Sequence, residues 1–226
     1  MSLPLNSRPQ LSEEVATHIR DLIMAGTVRP GERLRLEELA AKLGVSITPV
    51  REALLILRSE DMVELQPRRG YVVAPLSRQD IEDVFSLQAN LAGELAARAS
   101  RRTTENQLLQ LNDLQAALRE AAGEARLQEL ERLEFAFHRV INLVTESRKL
   151  ARFLYTATRY TPHRFYASDP AWRANMLSDH QALLDALAAR DAQAARAAMS
   201  RHFTDGAERL LKHLDDIGMW DKRPAQ

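Results

Sequence analysis

Residues 44–54 of this chain read GVSITPVREAL. A glycine suits the left-handed turn that follows a helix, so Gly44 predicts the end of one helix. Ser46 is a typical N-cap residue, and proline is tolerated in a first helical turn, so a second helix is predicted to begin at once. Two helices separated by so short a turn indicate a helix-turn-helix, whose second helix enters the major groove of DNA.

The segments on either side of this stretch complete a winged helix-turn-helix. Apolar residues at helical spacing predict a helix from Leu11 to about residue 25, and a shorter helix covers 36–43. Downstream, residues 62–65 and 71–74 predict two short strands, which the basic turn 66–70 joins into a hairpin. The hairpin is the expected wing.

Beyond residue 77 the pattern predicts helices and no strands. Six helices are expected, over residues 78–100, 104–122, 124–146, 148–166, 170–189 and 192–214. Helices joined by short turns pack as an antiparallel bundle. We therefore expect a mainly α protein, with a winged helix-turn-helix domain at 1–75 and an all-helical domain at 78–226.

Composition excludes several classes of protein. The 31 basic and 31 acidic residues cancel, so any binding to nucleic acid has to come from a local patch. The chain has no cysteine, which excludes disulfides, thiolate catalysis and cysteine metal sites. Neither a signal peptide nor a membrane-spanning apolar run is found, so we expect a cytoplasmic protein without a membrane partner.

Polar residues at the start of the recognition helix and in the wing predict the contacts with DNA. The candidate residues are Ser46, Thr48, Arg51, Arg68, Arg69, Gly70 and Arg35. Arg51 is placed to bond guanine O6 and N7 in the major groove. The wing arginines can reach phosphates or the minor groove. The alternative is that these arginines are solvated surface charges.

With Pro30-Gly31-Glu32-Arg33-Leu34 upstream and Pro67-Arg68-Arg69-Gly70-Tyr71 downstream, this pattern resembles the GntR family of bacterial transcription regulators. The resemblance implies operator DNA as a partner, with a homodimer reading two half-sites. Two positions depart from the family, where arginine is usual: Ile47 and Glu37. Arg35 is a candidate to compensate for Glu37, and the departures leave the operator sequence open.

Four residues of the helical domain predict a metal site. Glu134 and His138 are four residues apart and project from one helix face that also carries apolar residues. His180 and His202 lie about equally far from the turn near residue 191, so they should sit at one height in an antiparallel hairpin. Three imidazoles and a carboxylate suit zinc, or nickel, manganese or iron with added waters. The alternative is that each is an ordinary buried polar residue.

The helical domain also resembles the FCD ligand-binding domain of the FadR subfamily, in its six-helix VanR-like form. Glu134, His138, His180 and His202 match the metal ligands of that domain, with glutamate at a position more often aspartate. The resemblance implies open metal positions that accept the carboxylate of a small organic acid. Gln88 and Arg164, near the inner stripes of their helices, are candidate effector-binding residues, although Gln88 equally fits a core amide bonded to backbone.

The sequence therefore favours an effector-controlled repressor or activator. A metal-dependent enzyme is the rival, since three histidines and one carboxylate could activate water. Against the enzyme, no inward acid or base beyond the four residues is evident, and a fused DNA-reading domain has no use in one. A third hypothesis is a regulator whose metal is purely structural and which takes no effector.

Overall fold

A computed structural model describes residues 8–220. These residues form two compact units. The first contains the described residues up to Ser77 together with those from Leu214, and the second is Arg78–His213. The expected fold class is confirmed: the protein is mainly helical, with a small sheet confined to the first unit.

The first unit is a winged helix-turn-helix. Its elements are α1 (Arg8–Met24), β1 (Arg33–Leu34), α2 (Leu36–Leu43), α3 (Ile47–Ser59), β2 (Val63–Gln66) and β3 (Gly70–Val73). The strands pair antiparallel in the order β1-β3-β2. The sequence analysis missed β1, because a strand of two residues is too short to show a period. Gly44 has a φ of 66° and ends α2 as predicted.

The core of this unit lies between α1 and α3. It contains Val15, Ile19, Ile23, Val50, Leu54 and Leu57, each at most 4% exposed. A buried ion pair crosses the same interface. Nε and Nη2 of Arg20 donate to Oε2 of Glu60, the C-cap residue of α3, at 2.9 and 2.7 Å. Buried charges need such partners, so this pair fixes how α3 lies on α1.

The C-terminal segment 214–219 packs within the first unit. Arg29 donates to the carbonyl oxygens of Gly218, at 2.9 Å, and of Ile217. A Cβ atom added to Gly26 would lie only 2.6 Å from Cδ1 of Ile217. This segment was expected to belong to the helical domain. Residues 215–219 are instead in contact with the first unit, and residues 221–226 lie outside the described part.

The second unit is built from seven helices. They are α4 (Arg78–Ser100), α5 (Glu105–Gly123), α6 (Leu127–Val144), α7 (Arg148–Thr158), α8 (His163–Ser168), α9 (Pro170–Ala188) and α10 (Ala192–Asp216), whose last residues belong to the first unit. The expectation of six helices was wrong at one point: the single helix over 148–166 is two. Pro162 cannot donate to the helical ladder, and it disfavours helical backbone at the residue before it.

Helix ends follow the chemistry of their caps. Thr104 and Gln107 form a capping box at the start of α5. Asp169 accepts from the backbone N–H groups of Ala171 and Trp172 at the start of α9, directly before Pro170. These caps fix where α5 and α9 begin and therefore the height of the residues they carry.

Helix α6 packs against α4, α5, α7 and α8, and α9 packs against α4, α5 and α8. The polar residues of α6 and α9 that face inward therefore meet between helices. Close approach of α10 to α4 is possible because Gly93 has no side chain: a Cβ there would lie 2.4 Å from Oγ of Ser200. Among residues 8–220, no helix is long and apolar enough to cross a membrane.

Candidate metal centre and nucleic-acid interface

Helix α3 presents its polar candidate residues to solvent. Ser46, Thr48 and Arg51 are exposed, while Val50 and Leu54 are buried against the core. Ser46 takes the N-cap position with extended backbone, but its hydroxyl makes no capping hydrogen bond to the described residues. The hydroxyl therefore is not committed to the helix end.

The wing is a tight turn between β2 and β3. Arg68 and Arg69 are exposed at its tip. Arg68 and Gly70 both have positive φ angles, 64° and 76°, a conformation that glycine adopts without strain. Nη1 of Arg69 donates to the side-chain oxygen of Gln66 at 3.2 Å, which orients one of the two guanidinium groups.

The other positions singled out on this surface are exposed too. Arg35 precedes α2 and forms a salt bridge with Glu38 at 2.8 Å, both side chains being 57% exposed. A pair so exposed contributes little to stability, so the guanidinium can leave it for a phosphate at small cost. Glu37 is also exposed, and Ile47 is the first residue of α3.

In the second unit, Glu134, His138, His180 and His202 come together. One potential ligand atom from each residue lies within 4.8 Å of those from all the others. Oε1 of Glu134 lies 3.2 Å from Nε2 of His138 and 3.3 Å from Nε2 of His202. Oε2 of Glu134 lies 3.6 Å from Nε2 of His180.

Three helices place these groups. Glu134 and His138 stand one turn apart on α6, which agrees with their spacing in the sequence. His180 lies on α9 and His202 on α10. The turn between these two helices is short, with Asp191 accepting from the N–H groups of Gln193 and Ala194. The two histidines therefore face the same point of α6.

The cluster is buried and partly unsatisfied. Among the described residues, Oε2 of Glu134 and both ring nitrogens of His180 have no hydrogen-bond partner. Leaving a buried polar atom unpaired costs about 1–3 kcal/mol, so such atoms usually have a partner that bonds them. Three nitrogens and one carboxylate are a donor set that zinc takes in proteins. The residues present therefore fit a divalent metal ion.

The charge states at the cluster also suit a cation. Burial acts to raise the pKa of Glu134, but its three histidine neighbours, His180 first, hold that pKa well below the ordinary carboxyl value. Burial lowers the pKa of His180 well below its usual range, against the pull of Glu134. At neutral pH the carboxylate is therefore ionised and His180 is neutral, the forms in which both groups bind metals.

Aromatic rings surround the cluster and limit the access of water. Phe137 stacks on His180 with centroids 4.0 Å apart and planes 8° from parallel. Trp172 and Phe203 lie 6.1 and 5.5 Å from the ring of His202. Such an apolar wall fixes the orientation of the imidazoles and strengthens electrostatic interactions within the site.

Sequence reasoning did not pick out Asp179, which lies behind His202. Oδ2 of Asp179 lies 3.9 Å from Nδ1 of His202, and its Oδ1 accepts from Nε of Arg201 at 2.9 Å. The carboxylate is buried, and Nε2 of the same imidazole faces Glu134. The only signal in the sequence was its position beside His180, which does not reveal a contact with another helix.

The two candidate effector residues lie in different surroundings. Gln88 is fully buried on α4; its amide N–H donates to the carbonyl of Ala157 at 2.8 Å, and its oxygen accepts from Thr161 at 3.2 Å. Both ends of the side chain are thus satisfied, as the core-amide alternative expects. Arg164 is exposed and lines an open depression of about 450 Å³ that also contains Glu131. Neither residue belongs to the four-residue cluster.

Fold and surface together define a winged-helix DNA-binding regulator with an all-helical second domain. Comparison with known families gives the same result. Residues 11–73 match the bacterial regulatory proteins of the gntR family, and residues 83–205 match the FCD domain. The chain therefore belongs to the GntR family of bacterial regulators and carries an FCD domain, as the sequence motifs predicted.

The relatives described here are named transcription regulators, and the matches cover most of both chains. The Uxu operon transcriptional regulator of Escherichia coli is 30% identical, with 91% of this chain and 89% of the relative covered. The transcriptional repressor GlaR of E. coli is 31% identical over 81% of this chain and 88% of its own. The structure of E. coli McbR/YncC has the same fold, with a TM-score of 0.69, 24% identity, and 89% and 97% coverage. These relatives support a regulator and not an enzyme.

Proposed function

We propose that this protein is a metal-containing, effector-responsive transcription regulator. Glu134, His138, His180 and His202 hold one divalent ion in the helical unit. The observation that carries the proposal is the convergence of these four side chains from three helices, with buried ligand atoms that otherwise lack partners. Zinc is the first candidate by donor set; nickel, manganese and iron follow, with added water ligands.

The proposed effector is a small organic acid. An ion held by four protein groups can keep further positions open in five- or six-coordinate geometry, and a carboxylate would occupy them. Arg164 is a secondary candidate for the effector, although Glu131 and Glu129 beside it oppose an anion. Gln88 remains a candidate only if Thr161 and Ala157 release its amide.

The proposed DNA surface combines α3 and the wing. Ser46, Thr48 and Arg51 would face the major groove, and Arg68, Arg69 and Gly70 would approach the backbone or minor groove. Arg35 would contact phosphate. A homodimer would place two such surfaces on a pseudo-palindrome, with effector binding changing their spacing. We propose repression of transcription over activation, because the relative GlaR is named a repressor.

The test is metal analysis of the purified full chain combined with a thermal-shift screen of small carboxylates. Wild type should carry one ion per chain, and the double variant His180→Ala/His202→Ala should carry none. His213→Ala is the matched control, since it removes an imidazole from α10 outside the cluster. Retained metal in the double variant would overturn the ligand set. If the protein binds metal but no carboxylate changes its melting temperature or its DNA binding, the metal is structural and the proposed effector is wrong.

A further inference from the structure

Helix α3 exposes an apolar side chain at the end that enters DNA. Ile47, the first residue of α3, is 37% exposed. The other apolar residues of α3 up to Leu57, Leu55 and Ile56 apart, are buried against the core, on a face that Ile47 borders. They are Pro49, Val50, Ala53, Leu54 and Leu57. Ile47 therefore keeps over a third of its apolar surface open to solvent at this end of the helix.

Ile47 shares its face of the helix with Arg51. The two residues are four apart, which places them one turn and about 6 Å from each other along the helix axis. Ser46 and Thr48 are exposed beside them. Side chains at the N-terminal end of a recognition helix are those that reach base edges. Ile47 is thus set among the polar residues proposed to contact DNA.

The major groove offers one apolar group to such a side chain, the C5-methyl of thymine. A branched aliphatic side chain cannot satisfy the donors and acceptors of the other bases, and covering them without a bond is unfavourable. Its branching at Cβ also limits Ile47 to few rotamers in a helix, so little side-chain entropy is lost on contact.

We infer that Ile47 is a specificity-determining residue that reads a thymine methyl group. Since successive bases are about 3.4 Å apart on a strand, this thymine lies within about two base pairs of the base that Arg51 contacts. The inference rests on the proposed function, in that α3 is the DNA-reading helix. To that proposed function the inference adds the base that the apolar side chain of Ile47 selects.

The test uses the full chain and a binding site selected from a random duplex library. Affinity is then measured for that duplex and for duplexes in which one thymine at a time is replaced by uracil, which lacks only the methyl group. Wild type should lose affinity about fourfold at one thymine in each half-site, the value of one buried methyl. Ile47→Ala should bind the thymine and uracil duplexes equally well.

Leu55→Ala is the matched control. Leu55 is 50% exposed on the same face, but it lies two turns further from the N-terminal end of α3. This variant should keep the wild-type preference for thymine. Equal affinity for every uracil duplex, or unchanged discrimination in Ile47→Ala, would overturn the inference.

Binding of Arg51→Ala to the same duplex distinguishes a failure of the role proposed for Ile47 from a failure of the whole DNA interface on α3. If Arg51→Ala loses affinity while uracil is tolerated everywhere, only the role of Ile47 fails. If neither Arg51→Ala nor Ile47→Ala changes binding to the selected duplex, α3 does not read DNA, and the proposed interface fails with it.

Discussion

Oε2 of Glu134 lies 3.6 Å from Nε2 of His180, and among the described residues neither atom has a hydrogen-bond partner. Burial disfavours a charge on the imidazole and holds the pKa of His180 well below its usual range, against the pull of Glu134. Both residues belong to the group of four whose potential ligand atoms lie within 4.8 Å of one another. A cation there would satisfy atoms that are otherwise buried at a cost.

Removing the metal should therefore lower the stability of the helical unit. A ligand present at one hundred times its Kd stabilises the folded state by about 2.7 kcal/mol, and the loss lowers Tm by roughly 5–10 °C for a protein of this size. Differential scanning calorimetry with and without a chelator measures the shift. An unchanged Tm in the wild type would contradict a metal in this cluster.

Asp179→Asn should weaken metal binding while leaving the four ligands in place. The negative charge of the carboxylate, 3.9 Å from Nδ1 of His202, would favour a proton on that nitrogen and so leave Nε2 for the ion. Loss of such a partner typically costs about 10–100-fold in metal affinity. Competition with a chromogenic chelator gives the affinity, and nitrogen NMR gives the tautomer. Asp185→Asn, an exposed aspartate on the same helix, should bind metal like wild type.

Arg51→Ala should weaken binding to a selected operator by about 1–3 kcal/mol and relax discrimination at one base pair. The exposed guanidinium lies on the second turn of α3, where a bidentate contact to guanine is within reach. Arg58→Ala is the control, because Arg58 is exposed at the far end of the same helix. Fluorescence anisotropy on single-base variants of the operator measures both effects. Equal losses for the two variants would show a charge effect without base reading.

Gly26→Ala should destabilise the first unit more than Gly31→Ala. Both glycines have positive φ, 71° and 77°, so alanine is strained at either position by about 1–2 kcal/mol. At Gly26 the new methyl group also meets Ile217 at 2.6 Å and Leu214 at 2.9 Å. A methyl group added to Gly31 would meet no heavy atom of the described residues within 4 Å, its chain neighbours apart. Urea unfolding should separate the two variants, and equal losses would argue against packing of the C-terminal segment on Gly26.

Asp169→Ala should cost about 1 kcal/mol of unfolding free energy at neutral pH, through loss of the α9 cap. Burial acts to raise the pKa of Asp169, but its bonds to Ala171, Trp172 and Arg209 lower that pKa below the ordinary value. The stabilisation is therefore present above the pKa of an unfolded aspartate. It is lost as pH falls through the lower folded-state value.

Urea titrations of wild type and Asp169→Ala over a pH series measure this difference. The difference in unfolding free energy between the two proteins should be constant near neutral pH and should shrink at acid pH. A difference in unfolding free energy that grew on acidification would contradict a lowered pKa of Asp169 in the folded state. Asp191→Ala is the matched control, because it removes the cap residue of α10 without affecting the ion pair between Asp169 and Arg209.

Much of the fold could be predicted because it depends on local chemistry. Gly44, Ser46 and Pro49 marked the turn before α3 correctly, since caps and helix ends obey rules that span a few residues. Pro162 separates α7 from α8, yet a single helix is predicted over 148–166, because apolar periodicity continues on both sides. No local pattern in the sequence predicts that residues 214–219 pack against Gly26.

The sequence by itself determined the class of this protein: the helix-turn-helix, the wing, the all-helical domain, and the pairing of Glu134 with His138 through helical periodicity. Only the tertiary structure decided that His180 and His202 reach the same carboxylate, that Asp179 supports one of them, and that the amide of Gln88 is already satisfied. Helical spacing fixes which residues share a face. How far apart two faces lie depends on packing between segments distant in sequence, which only the folded chain specifies.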